Sequence, residues 1–173
     1  MPTGSWDWTA RLWDVATGAC IATLTCASGI SGVAFSAAGT RLATICQDRS
    51  IWIWDLATYT ARTVLKTTDY AAAAVFLPDD RYLVTSVTDG TARIWDTTAD
   101  ATAGPSAVTL IALPDAGYAT VLPDGSCKLS GDSHGRPWWA EGLARFEPGE
   151  LDDRHLGIRR LPPDTPILPA PPP

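Results

Sequence analysis

Residues 89–96 read DGTARIWD, residues 48–55 read DRSIWIWD and residues 7–14 read DWTARLWD. Successive strings stand 41 positions apart. Each keeps Asp at the front, Ser or Thr third and Trp-Asp at the end. Thr3, Thr44 and Thr85 recur at the same interval. A second pattern lies between the strings. Val33-Ala34-Phe35-Ser36 ahead of Ala37-Ala38-Gly39 answers to Ala74-Val75-Phe76-Leu77 ahead of Pro78-Asp79-Asp80, and Leu42-Ala43-Thr44 answers to Leu83-Val84-Thr85. Repetition of this length marks one supersecondary unit that buries its faces against its neighbours. The unit reads as strands. Runs of about five residues, rich in Val, Ile, Thr and Trp, alternate in polarity and end at Gly, Asp or Pro turns. No run holds a 3.6-residue period over three turns, which excludes helices as the building element.

The pattern resembles the WD40 repeat, the blade of a β-propeller. The resemblance covers roughly residues 1–140 and weakens after Asp96. It implies an all-β fold: a partial propeller of about three and a half blades of antiparallel four-stranded sheets, ending in a Pro-rich tail. It also implies roles for the recurring residues. The Asp sits in the tight turn before the third strand, the Thr on the second strand and the Trp on the third. A buried indole N–H needs an acceptor, which the Thr hydroxyl supplies. Three structural networks are expected: Thr3 with Asp7 and Trp13, Thr44 with Asp48 and Trp54, and Thr85 with Asp89 and Trp95. The family's network has a fourth member, a His, whose place falls on Cys26 and Thr67 here. The networks are therefore expected to be incomplete.

A fourth unit is degenerate. Tyr118–Gly125 resembles a first strand and its turn, but Lys128 holds the Thr position and the end reads Pro137-Trp138-Trp139. This divides the chain into a repeat region, 1–145, and a capping segment with a Pro-rich tail expected to be disordered, 146–173. The stretch 122–151 resembles the segment that closes many bacterial WD40-array proteins, in which the array follows a signalling or defence module. The chain thus reads as the C-terminal part of a larger bacterial signalling protein. Rings of this family usually hold more blades than these residues supply. Missing N-terminal blades in the same chain, or a homodimer closing the ring, are the two ways to complete one.

Composition narrows the partners. The formal net charge is −6 and the basic residues are scattered, so nucleic acid is a poor candidate. No apolar run is long enough to span a membrane. MPTGSWDW lacks the features of a signal peptide, and a cytoplasmic location is expected. Cys20, Cys26, Cys46 and Cys127 form no CxxC pair and have no His cluster beside them. They read as reduced thiols packed in strands, with no metal and no cofactor.

Chemistry is represented by one string. Gly131-Asp132-Ser133-His134-Gly135 matches the nucleophile elbow GxSxG, which needs a strand before it and a helix after it. Pro137 and two Trp follow instead, so a Gly-rich turn is the better reading. Of eight Trp, Trp13, Trp54 and Trp95 belong to the repeat. Trp6, Trp8 and Trp52 break it and are candidate partner contacts. The function expected is protein–protein interaction, a scaffold or sensor module with no catalysis. A small serine hydrolase using Ser133 is the alternative. An ester-hydrolysis assay separates them: the purified chain should show no turnover above buffer, and Ser133→Ala should change nothing.

Overall fold

The computed structural model describes residues 1–67, 69–98, 107–112, 117–130, 139–141, 144–146, 161–162 and 164–168. They hold strands and turns and no α-helix. The chain divides into two compact units, Met1–Ser106 and Ala107–Pro173.

The first unit contains three antiparallel sheets. The first joins β1 (Pro2–Gly4), β2 (Thr9–Trp13) and β3 (Cys20–Thr25). The second joins β4 (Ile30–Phe35), β5 (Arg41–Cys46), β6 (Ser50–Asp55) and β7 (Thr60–Lys66) in sequence order. The third contains β8 (Ala71–Phe76), β9 (Tyr82–Val87) and β10 (Thr91–Asp96). β1 and β8 both lie against β4, and β8 also touches β5.

The second sheet explains its own sequence. Successive side chains point to opposite faces of a strand. On one face, Leu42, Cys46 and Trp54 pack with Ala10 and Leu12 of β2, Leu24 of β3, Cys26 and Ile30. On the other, Ala43, Ile45, Ile51 and Ile53 are 0–2% exposed. A strand buried on both faces cannot alternate apolar with polar, and SIWIWD does not. The first sheet does alternate: Ala10, Leu12 and Leu24 are buried, while Arg11, Thr23 and Thr25 are not.

The turns repeat as faithfully as the strands. Trp8, Arg49 and Gly90 occupy one repeat position, with φ of 72°, 64° and 84°. Gly39 and Asp80 share a second such position at 68° and 56°, and Gly18 and Tyr59 a third at 70° and 56°. Only glycine takes this left-handed conformation without steric cost. Each position therefore carries Gly in one repeat and a strained side chain in another. Asp80 turns the strain to use. Its carboxylate accepts the backbone N–H groups of Ala37, at 2.6 Å, and Ala38, at 2.9 Å, in the preceding sheet. The Ala38 N–H, then burial acting the other way, then the Ala37 N–H leave its pKa below the ordinary carboxylate value. Arg41 completes the clamp by donating to the Asp80 carbonyl and, at 2.8 Å, to the Thr97 hydroxyl.

In the second unit, β11 (Ala107–Ala112), β12 (Tyr118–Val121) and β13 (Cys127–Ser130) form a meander. β14 (Trp139–Glu141) and β15 (Ala144–Phe146) form a hairpin. The meander corrects one expectation. Tyr118–Val121 pairs with strands on both sides, so it is a middle strand and not the first strand of a fresh sheet. Its turn shows why the sequence misleads. Gly125 has φ of 83°, and Asp124 accepts from both the N–H and the hydroxyl of Ser126. That is the bonding of Asp89-Gly90-Thr91, the tight turn before a third strand. Leu161 donates its N–H to the Cys127 carbonyl and is 7% exposed, which corrects the expected disorder at the start of the Pro-rich tail: its first residue is bonded to β13.

Tyr59 is the cleanest place to read the cost of the left-handed turns, because its side chain is 42% exposed. Tyr59→Gly should raise stability in urea by about 0.5–1 kcal/mol, the steric cost less the added freedom of the unfolded chain. Gly90→Ala should lower it by about 1 kcal/mol.

Candidate functional site

The recurring Thr and Trp meet in all three sheets of the first unit. The Trp13 indole N–H donates to the Thr3 hydroxyl at 2.8 Å, Trp54 to Thr44 at 3.1 Å and Trp95 to Thr85 at 2.9 Å. The register makes this possible. Leu42 lies opposite Trp54 and Thr44 opposite Trp52, so Trp54 reaches diagonally across β5 and β6 to Thr44. Trp54 is 5% exposed, Trp95 1%, and Thr44 and Thr85 fully buried. The first pair lies on a face that is not covered: Thr3 is exposed and Trp13 half-buried.

The aspartates do not join these pairs, which corrects the expected networks. Asp7 accepts the N–H and hydroxyl of Thr9, Asp48 those of Ser50 and Asp89 those of Thr91. Each also meets a cation: Arg11 at 3.0 Å, Lys66 at 3.3 Å and Arg93 at 3.7 Å respectively. The Thr9 hydroxyl and N–H hold Asp7 at about 2, against an ordinary value of 3.8. Burial pushes the other way at Asp48, but Ser50 and Lys66 outweigh it and its pKa stays low. The physical reason for the separation is the missing bridge. Where the family's pattern places His, Cys26 sets its sulfur 3.3 Å from the Thr44 hydroxyl, too short a side chain to continue to Asp48. Thr67 turns to the backbone instead, donating to the carbonyls of Arg49 and Asp69.

The Trp-Asp aspartates end their strands. Asp14 accepts the N–H groups of Ala16 and Thr17, Asp55 those of Ala57 and Thr58, and Asp96 that of Thr98. Asp96 is also bound by Arg81 at 2.8 and 3.0 Å.

The WD domain, G-beta repeat family matches at residues 18–55 and 63–96. These segments are WD40 repeats. Both contain the buried Trp and the capping Asp just described. The chain is 29% identical over 102 residues to a protein of Chlamydomonas reinhardtii named ribosome biogenesis protein WDR12 homolog. That match takes in 54% of this chain and 23% of the relative's length. The crystal structure of the Cps50 (Swd1) β-propeller domain of Myceliophthora thermophila superposes with a TM-score of 0.59. It is 20% identical, covering 65% of this chain and 34% of the solved one. The likeness establishes the WD40-type β-propeller fold for the matched part.

The three non-repeat Trp separate. Trp6 and Trp8, in the turn between β1 and β2, are 76% and 55% exposed. Trp52 is half-buried, stacks on Trp54 with ring centres 5.5 Å apart and donates its N–H to Ser50. It packs against the core between the first two sheets, which makes it a structural residue. Its equivalents are Arg11 and Arg93, so the repeat comparison set it apart, although strand alternation puts it on the face of Trp54. A cleft of about 680 Å³ is lined by Arg41, Asp55, Leu56, Arg62, Thr97 and neighbouring residues of the WD40 repeats. Its cations are already engaged, Arg41 with Asp80 and Thr97 and Arg62 with Asp55 at 3.7 Å. Among the described residues no group of three His, Cys, Asp or Glu could hold a metal ion. Ser133 and His134 lie outside the described residues.

The Thr–Trp bonds should differ in worth with burial. Thr44→Val and Thr85→Val keep the shape but strand a buried indole N–H, and should each cost about 1–3 kcal/mol. Thr3→Val, where water can replace the hydroxyl, should cost less than about 0.5 kcal/mol. Urea denaturation of the three variants measures the order.

Proposed function

We propose that the chain is a protein–protein interaction module, a scaffold or sensor arm with no catalysis of its own. The Trp6–Trp8 turn carries the reading. Trp8 stands at a position that Gly90 fills without strain in the third sheet, yet its ring is left largely in solvent. An aromatic held on the surface at a conformational cost points to a contact that repays it. Trp6 beside it adds a second exposed ring, and exposed Trp is the residue type that most often dominates binding energy.

The uncovered face of the first sheet is a second contact surface in this reading. It carries Thr3, Arg11 and the half-buried Trp13. A second copy of the chain, or further blades of the same protein, would cover it and place Trp13 as Trp54 and Trp95 are placed. The working location is the cytoplasm, and among the described residues no helix is long and apolar enough to cross a membrane. The similarity to a protein named for ribosome biogenesis supports a place in a multiprotein assembly; the resemblance of 122–151 to bacterial array proteins supports an arm of a larger signalling protein.

Affinity capture with the chain, compared with a Trp6→Ala/Trp8→Gly double variant of unchanged or higher melting temperature, tests the turn. A partner retained by the natural chain should be lost, or bound at least tenfold more weakly, by the variant. Equal capture by both would remove the turn from the interface. Sedimentation of the same two proteins separates self-association from capture of a different protein.

A further inference from the structure

Two thiols meet between the first two sheets. Cys26 follows the end of β3, and its N–H donates to the Trp8 carbonyl at 2.9 Å. Cys46 ends β5. The residues are 5% and 2% exposed and belong to one apolar cluster. Thr44 stands between them, its hydroxyl 3.3 Å from the Cys26 sulfur and 4.0 Å from that of Cys46. One hydroxyl thus lies within reach of both sulfurs. Cys20 is exposed at the other end of β3, and Cys127 belongs to the second unit.

The geometry points to a redox-sensitive modification site: Cys26 and Cys46 form a reversible disulfide, made by a hydroperoxide, that staples the first sheet to the second. The two sulfurs have distinct parts. The neighbouring Cys46 thiol, then burial acting the other way, then the Thr44 hydroxyl leave the Cys26 pKa below the ordinary thiol range, which favours its thiolate. The neighbouring Cys26, followed by burial, pushes the Cys46 thiol up, above that range. Cys26 is the nucleophile, because the thiolate is the reactive form. Its sulfur attacks one oxygen of hydrogen peroxide and the O–O bond breaks. The departing hydroxide takes a proton and leaves as water, and Cys26 becomes a sulfenic acid. Cys46 then gives up its proton and attacks the Cys26 sulfur. The S–S bond forms, the S–O bond breaks, and the hydroxyl leaves with that proton as a second water. Two thiols and one peroxide give one disulfide and two waters, the sulfur pair losing the two electrons that the peroxide gains. A dithiol reductant reverses the change by thiol exchange.

Burial sets the pace of the first step. Cys26 is tied to the Trp6–Trp8 turn by the bond from its N–H to the Trp8 carbonyl, and that turn is strained at Trp8. Local opening of that turn admits a molecule as small as peroxide while the sheets stay paired. The bridge leaves the Thr44 hydroxyl free to keep its bond from Trp54.

The test uses the full chain and its Cys20→Ser variant, treated with hydrogen peroxide, blocked with N-ethylmaleimide in denaturant and cut with trypsin. In the variant, Cys26 is the only thiol of peptide 12–41 and Cys46 the only thiol of peptide 42–49. A product of the two peptides joined, two hydrogens lighter than their sum and lost on reduction, is expected. The oxidised chain should also melt at higher temperature and return on reduction. In Cys46→Ser, oxidation should stop at a sulfenic acid on Cys26 that dimedone traps. The proposal is overturned if peptide 42–49 stays fully maleimide-labelled at a peroxide dose that oxidises Cys20 in the natural chain. It is equally overturned if Cys26 or Cys46 pairs with Cys127 instead, or if dimedone leaves Cys26 unlabelled in the Cys46→Ser chain.

Discussion

An indole N–H on the strand that follows the tight turn, in each of the three sheets of the first unit, has to find an oxygen. Everything regular about the first 96 residues follows from that requirement. The acceptor is a Thr on the neighbouring strand, ten positions earlier in the chain in every case. The spacing leaves room for a tight turn and fixes its length, and the turn in turn fixes which face each side chain takes. A register slip of one residue would send the Trp to the other face and leave its N–H without a partner. A buried donor left unsatisfied costs more than an ordinary hydrogen bond contributes, so the bond specifies the pairing more than it stabilises the sheet.

The aspartates perform the complementary task. Those in the tight turn ahead of the Trp strand fold that turn locally, through the N–H and hydroxyl two residues on. Those after the Trp close the strand end through the backbone two and three residues on. Both uses are Asx turns, in which a short carboxylate replaces a backbone acceptor. Neither needs a His, which is why the sheets stand with Cys26 and Thr67 where the family's pattern has one.

Much of this was legible in the sequence because a repeat compares the chain with itself. Three Trp-Asp ends at one spacing pointed to the strands and turns, and the family resemblance they carry implied the Thr–Trp partners. Single residues were less legible. Trp52 looked like a surface aromatic because Arg stands in its place in the neighbouring repeats. Only pairing shows that it stacks on Trp54. Asp48 looked like a member of the Thr44 network, since sequence spacing carries no distance between a turn and a strand centre. Tyr118–Gly125 misled for a different reason. Both turn types in this chain use Asp, Gly and a small polar residue, so the words of the turn do not say which strands flank it. The meeting of Cys26 and Cys46 joins two sheets, and nothing in the local pattern signals it.

The second sheet is buried on both faces, whereas the first buries one. Adjacent repeats in such arrays gain most of their stability from the interface they share. A sheet with two such interfaces has no independent folded state: detached from either neighbour, it would present Leu42 and Trp54 or Ile51 and Ile53 to water. It therefore acts as the cooperative hub of the first unit. Damage to either flank propagates into it, while the flanks feel one another only through it.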